Sequence, residues 1–190
     1  MNLKSSITAA LAAAAALCLA VAAPASAARP YLDHWSDHIE HIEQVEHDDW
    51  CPPDVVDFVV SETWEGSGID RITTQKDGLV RYAGTYSDTN TFTANGKTFV
   101  VYNHGNSRDT DIVDNGDGTL TIQIKNSVKS TVWIDGEFLF HDSGLVRATI
   151  VVDAETGEFL YAIDDDFALH GRFDTADRWL CEDLAIYLGD

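Results

Sequence analysis

The chain has 190 residues and a formal net charge of −20 at pH 7, with 12 Lys and Arg against 32 Asp and Glu. So negative a chain is repelled by nucleic acid and by anionic membrane surfaces, and it favours cations, basic partners or simple solubility. Its length is sufficient for a single domain with a full hydrophobic core.

Residues 1–27 predict a signal peptide. A lysine precedes the apolar segment ITAALAAAAALCLAVAA, and the small residues ASA at positions 25–27 match a cleavage site. Cleavage between Ala27 and Ala28 would leave a chain without a second apolar run of membrane length. We therefore expect a secreted, extracellular protein with no integral membrane segment after cleavage.

Two cysteines follow the predicted leader, Cys51 and Cys181, one near each end of the remaining chain. In an oxidising compartment such a lone pair predicts a disulfide. In the chain-entropy model, closing so long a loop stabilises the fold by roughly 4 to 5 kcal/mol.

Residues 28–53 form an acidic, His-rich segment that predicts an arm or a helix. On a helix, His34, His38 and His41 would lie within an arc of roughly 60°. Three imidazoles so placed could share Zn²⁺, Cu²⁺ or Ni²⁺. The alternative is a solvated helix or a disordered segment that binds no metal. Pro52 and Pro53 would end any helix.

Residues 54–190 predict a β-barrel domain with a short C-terminal helix, and hence a mainly β fold. Turn pairs at Asp77-Gly78, Asn95-Gly96 and Asp135-Gly136 separate alternating apolar and polar runs, which is typical of hairpins with type I′ turns. About eight strands would follow one another as an antiparallel meander. Closure into a barrel is favoured over a sandwich because closure removes exposed edges.

The end of the chain predicts a helix over residues 175–188. Asp174 is suited to the N-cap and Gly189 to the residue after the helix. Cys181 would lie within this helix, so a disulfide would hold the helix near the start of the β domain.

The leader, the Cys-Pro start before a β-rich body, the Gly-rich hairpins and the cysteine in a short C-terminal helix resemble uncharacterised secreted proteins of actinobacteria. In architecture the chain is similar to calycin-like and allene-oxide-cyclase-like barrels. The resemblance implies a barrel fold and brings no activity with it.

The segment DIVDNGDGT, residues 111–119, has some of the residues of a calcium loop. The EF-hand pattern requires Asp or Asn at positions 1, 3 and 5 before a Gly, and Val113 falls on one of these positions in either frame. We expect a hairpin loop, with at most weak Ca²⁺ binding by Asp111, Asp114 and Asp117.

The chain contains no G-x-S-x-G elbow, P-loop, H-E-x-x-H or dinucleotide fingerprint. An eight-stranded barrel is either filled by its side chains or holds one small ligand. We expect a non-enzymatic module that binds a small molecule or an extracellular protein.

Two alternatives stay open at this point. One is a barrel enzyme of the cyclase or isomerase kind with a carboxylate or tyrosine in its lumen. The other is a secreted metal-binding protein that uses the three histidines. No cofactor is certain, and a divalent transition metal is the one candidate.

Overall fold

The computed structural model describes residues 29–42, 51–76 and 78–189, which form one antiparallel sheet and one short helix. The predicted signal peptide, with its cleavage site at Ala27 and Ala28, lies outside the described residues. The strands are β1 (Tyr31–Ile42), β2 (Ser61–Thr74), β3 (Val80–Ala94), β4 (Lys97–Asp114), β5 (Thr119–Ile134), β6 (Glu137–Asp153) and β7 (Phe159–Phe173), and the helix is α1 (Leu180–Leu188).

The strands pair in chain order from β1 to β7, and every neighbouring pair is antiparallel. The predicted meander is therefore confirmed. Asn95 and Gly96 have φ of 51° and 75°, and Asp135 and Gly136 have 49° and 83°. Both central residues of these turns adopt positive φ, as a type I′ hairpin requires. Asp77 lies outside the described residues.

The predicted barrel is wrong, because the sheet stays open. Strands β1 and β7 form its two edges and do not pair with each other in the described part of the chain. Short turns determine which strands are neighbours, but closure also requires curvature and a fixed stagger between strands. The middle of this sheet carries polar residues on both faces, so no continuous apolar core draws the edges together.

The seven strands are close to the number expected, about eight, but some of the predicted strands are parts of one longer strand in the structure. Residues 119–124 and 131–134 belong to the single strand β5, although polar residues lie between them. A strand whose two faces both reach water does not need apolar residues along its full length. The sequence pattern therefore underestimated the length of the strands.

The predicted N-terminal helix is also wrong, because residues 31–42 form strand β1. Its partner β2 places Gly68 opposite Trp35 and Trp64 opposite Ile39. Trp35 and Ile39 are four residues apart, a spacing that keeps two side chains on one side of a helix and also on one side of a strand. The apolar pattern thus suited both structures, and pairing with β2 decides between them.

The two faces of the sheet differ in what covers them. We call the face that α1 covers the helix-bearing face, and the opposite one the open face. Near α1 lies an apolar helix-end cluster, and at the other end of the strands lies a far-end cluster on the same face. The helix-end cluster contains Val56, Val60, Phe92, Phe99, Val132, Leu184 and Leu188, and the far-end cluster contains Ile124, Ala148, Ile150 and Val152.

Helix α1 begins at Leu180, later than the expected start at residue 175. Trp179 occupies the N-cap and makes no capping bond through its side chain, so the predicted N-cap at Asp174 is wrong. Asp174 instead binds the Arg172 guanidinium at 2.6 Å. The Gly189 N–H donates to the Ala185 carbonyl oxygen, so the predicted helix end at Gly189 is confirmed.

The predicted disulfide between Cys51 and Cys181 is confirmed. It joins α1 to the segment before β2, and both sulfur-bearing residues are buried in the helix-end cluster. The bridge therefore holds the helix over the sheet. In the part of the chain that the structure describes, no helix is long and apolar enough to span a membrane.

Replacing both Cys51 and Cys181 with Ser is expected to lower the free energy of unfolding by about 3 to 5 kcal/mol, because the bridge closes a loop between residues 130 positions apart. Urea unfolding of the variant beside the oxidised protein measures the difference. Reduced wild-type protein is the control and should unfold as the variant does. Equal midpoints for oxidised and reduced protein would contradict the assignment.

Candidate functional site

Between the two apolar clusters, the helix-bearing face carries three rows of residues that cross all seven strands. We call these rows the central band. Side chains directly opposite on neighbouring strands share a face, so the register alone defines each row. The rows are Asp33, Asp70, Gly84, Ser107, Asn126, Val146 and Leu169; Trp35, Gly68, Tyr86, Gly105, Val128, Gly144 and Gly171; and Asp37, Gly66, Asp88, Asn103, Ser130, Asp142 and Phe173.

The middle row of the central band is rich in glycine because aromatic rings lie against its backbone. A Cβ at Gly68 would lie 2.6 Å from the Trp35 ring, and one at Gly105 would lie 2.8 Å from the Tyr86 hydroxyl. Such distances leave no room for a side chain. Glycine here lets rings from neighbouring positions lie over the strands, an arrangement known to stabilise glycine-containing sheets.

Trp35 and Trp64 form a pair of rings over β2. Their centroids are 6.4 Å apart and their planes differ by only 10°. A Cβ at Gly66 would lie 2.4 Å from the Trp64 ring and 3.2 Å from the Trp35 ring, so both rings pass over this glycine. The pair forms an aromatic surface at the β1 side of the central band.

Negative charge is concentrated in the central band. Its described rows contain five carboxylates and no Lys, Arg or His. Asp33 and Asp70 are directly opposite each other on β1 and β2. Like charges in such a pair destabilise a sheet. A cation that binds between them would relieve this repulsion.

Not all of these carboxylates are available to a ligand. Asp142 is buried and accepts hydrogen bonds from the Thr175 N–H and hydroxyl, so it anchors the turn before α1. Asp88 accepts from the Asn103 amide at 2.9 Å and the Asn90 amide at 3.2 Å. Burial raises the pKa of Asp88, and hydrogen bonds from the side chains of Asn103 and Trp64 offset part of that effect.

Tyr82 links the central band to the next row. Its hydroxyl donates to Asp70 Oδ1 at 2.8 Å, and its backbone N–H donates to Asp109 Oδ2 at 2.7 Å. Burial, followed by the bond to Asp70, raises the pKa of Tyr82. Burial also raises the pKa of Asp109 to about 6. Tyr82 thus remains a neutral hydrogen-bond donor at physiological pH.

This geometry suits binding better than proton transfer. A tyrosine with a raised pKa is a poor general base, and the Asp109 carboxylate already bonds to backbone beside the bulge in β4. The aromatic rings, the carboxylates and the glycine row lie next to one another on the helix-bearing face.

The structure does not bring the three histidines of the predicted metal site together. His34 and His38 lie on the open face and His41 on the helix-bearing face, because odd and even positions of β1 point in opposite directions. Four residues along a strand span about 13 Å, too far for His34 and His38 to share an ion. In the described residues, no group of three His, Cys, Asp or Glu is placed to hold a metal ion.

The three aspartates considered for calcium each accept a hydrogen bond from a nearby backbone N–H in or beside the β4–β5 turn. Asp111 Oδ1 accepts from the Ile112 N–H, Asp114 Oδ1 from the Gly116 N–H and Asp117 Oδ1 from the Thr119 N–H. These bonds stabilise the hairpin that the sequence predicted in this region. Hydrogen bonds to Thr119 also lower the pKa of Asp117.

Trp35 and Trp64 were not singled out as site residues from the sequence. The available signal was an aromatic residue two positions before a glycine, as at Trp64 and Gly66. On a strand this spacing puts both residues on one face, with the ring beside a position that has no side chain.

Comparison with protein-family models, with curated proteins and with solved structures finds no match for this chain. The resemblance to secreted actinobacterial proteins therefore stays a prediction.

Replacing Asp109 with Asn is expected to raise the free energy of unfolding at pH 7.5 by roughly 1 to 2 kcal/mol. The reason is that one pKa unit corresponds to about 1.4 kcal/mol, and partial exposure reduces the effect. Burial raises the pKa of Asp109 to about 6, so the folded state binds this proton more tightly than the unfolded state does. The stability that the proton contributes is therefore fully present below pH 3.8 and is lost as the pH rises through about 6.

Urea unfolding of the wild type and the Asp109→Asn variant between pH 4 and pH 8 tests this expectation. The difference between them should grow over that interval. Asp111→Asn is a suitable control, because Asp111 is exposed and lies on the other side of the bulge. A difference that shrinks with rising pH would mean that the Asp109 carboxylate is stabilised rather than destabilised by its surroundings.

Proposed function

We propose that the chain is an exported, non-enzymatic binding module whose central band holds an organic cation. The observation that carries this proposal is the Trp35–Trp64 ring pair, which lies on the same two strands and the same face as Asp33, Asp37 and Asp70, in rows that contain no basic residue. An aromatic surface next to uncompensated carboxylates has the chemistry that recognises an ammonium group with alkyl substituents.

The attraction has two physical sources. A cation within about 6 Å of a ring centroid is drawn to the negative face of the ring, most strongly when the ring is that of tryptophan. The opposed pair Asp33 and Asp70 adds charge attraction on the same face as Trp35. The alkyl groups of an organic cation would cover the Trp rings, while a bare metal ion would leave that apolar surface in water.

The charge of the whole chain supports the same class of ligand. A net charge of −20 raises the concentration of cations near the surface and excludes anions from the carboxylate-lined rows. Export is supported by the predicted leader and by the Cys51–Cys181 disulfide, which is typical of oxidising compartments.

An enzyme of the cyclase or isomerase kind is the weaker candidate. It would need a free group that exchanges a proton near neutral pH. Asp109 has a suitable pKa of about 6, but its Oδ2 accepts from the Tyr82 backbone N–H. The central band offers donors and charges for holding a ligand, and for this reason we place binding first.

The test is a calorimetric titration of the protein with choline chloride at pH 7.5. The matched control ligand is 3,3-dimethylbutan-1-ol, which has the shape of choline without its charge. Choline should bind and the alcohol should bind at least roughly tenfold more weakly, because the cation–π and carboxylate terms act on the charge. No heat of binding with choline up to millimolar concentration would contradict the proposal.

Two variants locate the site. Trp35→Ala is expected to abolish choline binding, whereas Trp133→Ala is expected to preserve it, because Trp133 lies opposite Val100 on the open face. Choline affinity should also fall as the pH is lowered, since protonation of Asp88, whose pKa burial raises, removes negative charge from the band. Equal losses in the two variants would place any binding outside the central band.

A further inference from the structure

The open face has a charge opposite to that of the helix-bearing face. Directly behind the central band, three rows cross all seven strands, and we call them the basic rows. They are Leu32, Arg71, Ala83, Arg108, Lys125, Arg147 and Ala168; His34, Ile69, Thr85, Asn106, Ser127, Leu145 and His170; and Ser36, Ser67, Ser87, His104, Lys129, Ser143 and Arg172.

These rows contain six Lys and Arg and no Asp or Glu, in a chain whose acidic residues outnumber its basic ones by 32 to 12. Half of the basic side chains of the protein are thus collected on 21 positions of one face. Strand alternation produces the separation: Arg108 points to the open face, and its neighbour Asp109 points to the other.

Three of the cations are placed directly side by side. Arg108 lies opposite Lys125, and Lys125 lies opposite Arg147. Like charges in cross-strand pairs repel each other. Among the described residues, none of the three has an ion pair that could compensate this repulsion. Arg108 and Arg147 are exposed, and Lys125 is half-buried.

Asp174 and Asp111, two described carboxylates beside the basic rows, have other partners. Asp174 binds Arg172 at the edge of the basic rows. Asp111 lies beyond the bulge, opposite Gln123, and its Oδ1 accepts from the Ile112 backbone N–H. In the part of the chain that the structure describes, no carboxylate forms an ion pair with Arg71, Arg108, Lys125 or Arg147.

We propose that the basic rows are a second binding site, which takes a linear anionic polysaccharide laid across the strands. Arg71 and Arg147 are four strands apart, so the cations of this row span about 19 Å at the usual strand spacing. Small hydroxyl and amide side chains, Thr85, Asn106 and Ser127, occupy the middle of the adjacent row and can bond to the hydroxyls of sugars.

Other polyanions fit the basic rows less well. Single-stranded nucleic acid is usually held by aromatic rings on which its bases stack, and the basic rows contain no Trp, Tyr or Phe. Duplex nucleic acid and anionic membranes require a broad positive field, which a chain of net charge −20 does not provide. A thin polysaccharide chain can follow one row and avoid the acidic remainder of the surface.

The experiment measures binding of a size-defined heparin oligosaccharide to the full chain at low ionic strength. The site variant is Arg108→Gln/Lys125→Gln. The control is Arg29→Gln/Lys76→Gln, which removes the same charge from exposed positions outside the basic rows. We expect the site variant to bind roughly tenfold or more weakly and the control to bind nearly as the wild type does, with an affinity that falls as salt is added.

Thermal unfolding separates loss of the site from loss of the fold. The site variant should melt at or above the wild-type temperature without ligand, because the substitutions remove repulsion between neighbouring cations. The proposal is overturned if the heparin oligosaccharide does not bind, or if the two double variants lose affinity equally. It is also overturned if duplex DNA binds as tightly as the oligosaccharide, since any polyanion would then suffice.

Discussion

The continuous antiparallel register of the seven strands is the constraint on which the rest of the structure depends. Side chains alternate between the two faces of a strand, and residues directly opposite each other on neighbouring strands share a face. The face of one residue therefore determines the face of every residue in its row. Asp109 and Arg108 are neighbours in sequence but belong to surfaces of opposite charge. A shift of one residue in the β3–β4 pairing would mix the two surfaces, so both proposed sites depend on this register.

Stability and binding occupy different parts of the same strands. The apolar clusters lie at the two ends of the helix-bearing face, and the disulfide fixes α1 over one of them. The middle is stabilised by rings on glycine, as at Trp35 and Gly68, and by hydrogen bonds such as that from Tyr82 to Asp70. Such a middle section can carry opposed carboxylates on one face and opposed cations on the other, because the ends hold the strands in place.

Short sequence motifs correctly predicted the features that depend on neighbouring residues or on one cysteine pair. The Asn95-Gly96 and Asp135-Gly136 turns fixed the hairpins, and the lone cysteine pair gave the disulfide. Strand β1 was mistaken for a helix because its apolar spacing of four suits both structures. The charge separation escaped notice because it appears only when Arg108, Lys125 and Arg147 are aligned across three strands, and that register depends on turn geometry and bulges far along the chain.

The open sheet is tested most directly by a distance between its two edges. Spin labels on His34→Cys and His170→Cys would lie at opposite ends of one row, on β1 and β7, in a chain that starts at Ala28 and keeps its disulfide. Six strand spacings amount to about 29 Å, so pulsed electron spin resonance should give a distance between about 25 and 35 Å. A distance below about 15 Å would mean that β1 and β7 are neighbours in a closed barrel, and it would contradict an open sheet with two oppositely charged faces.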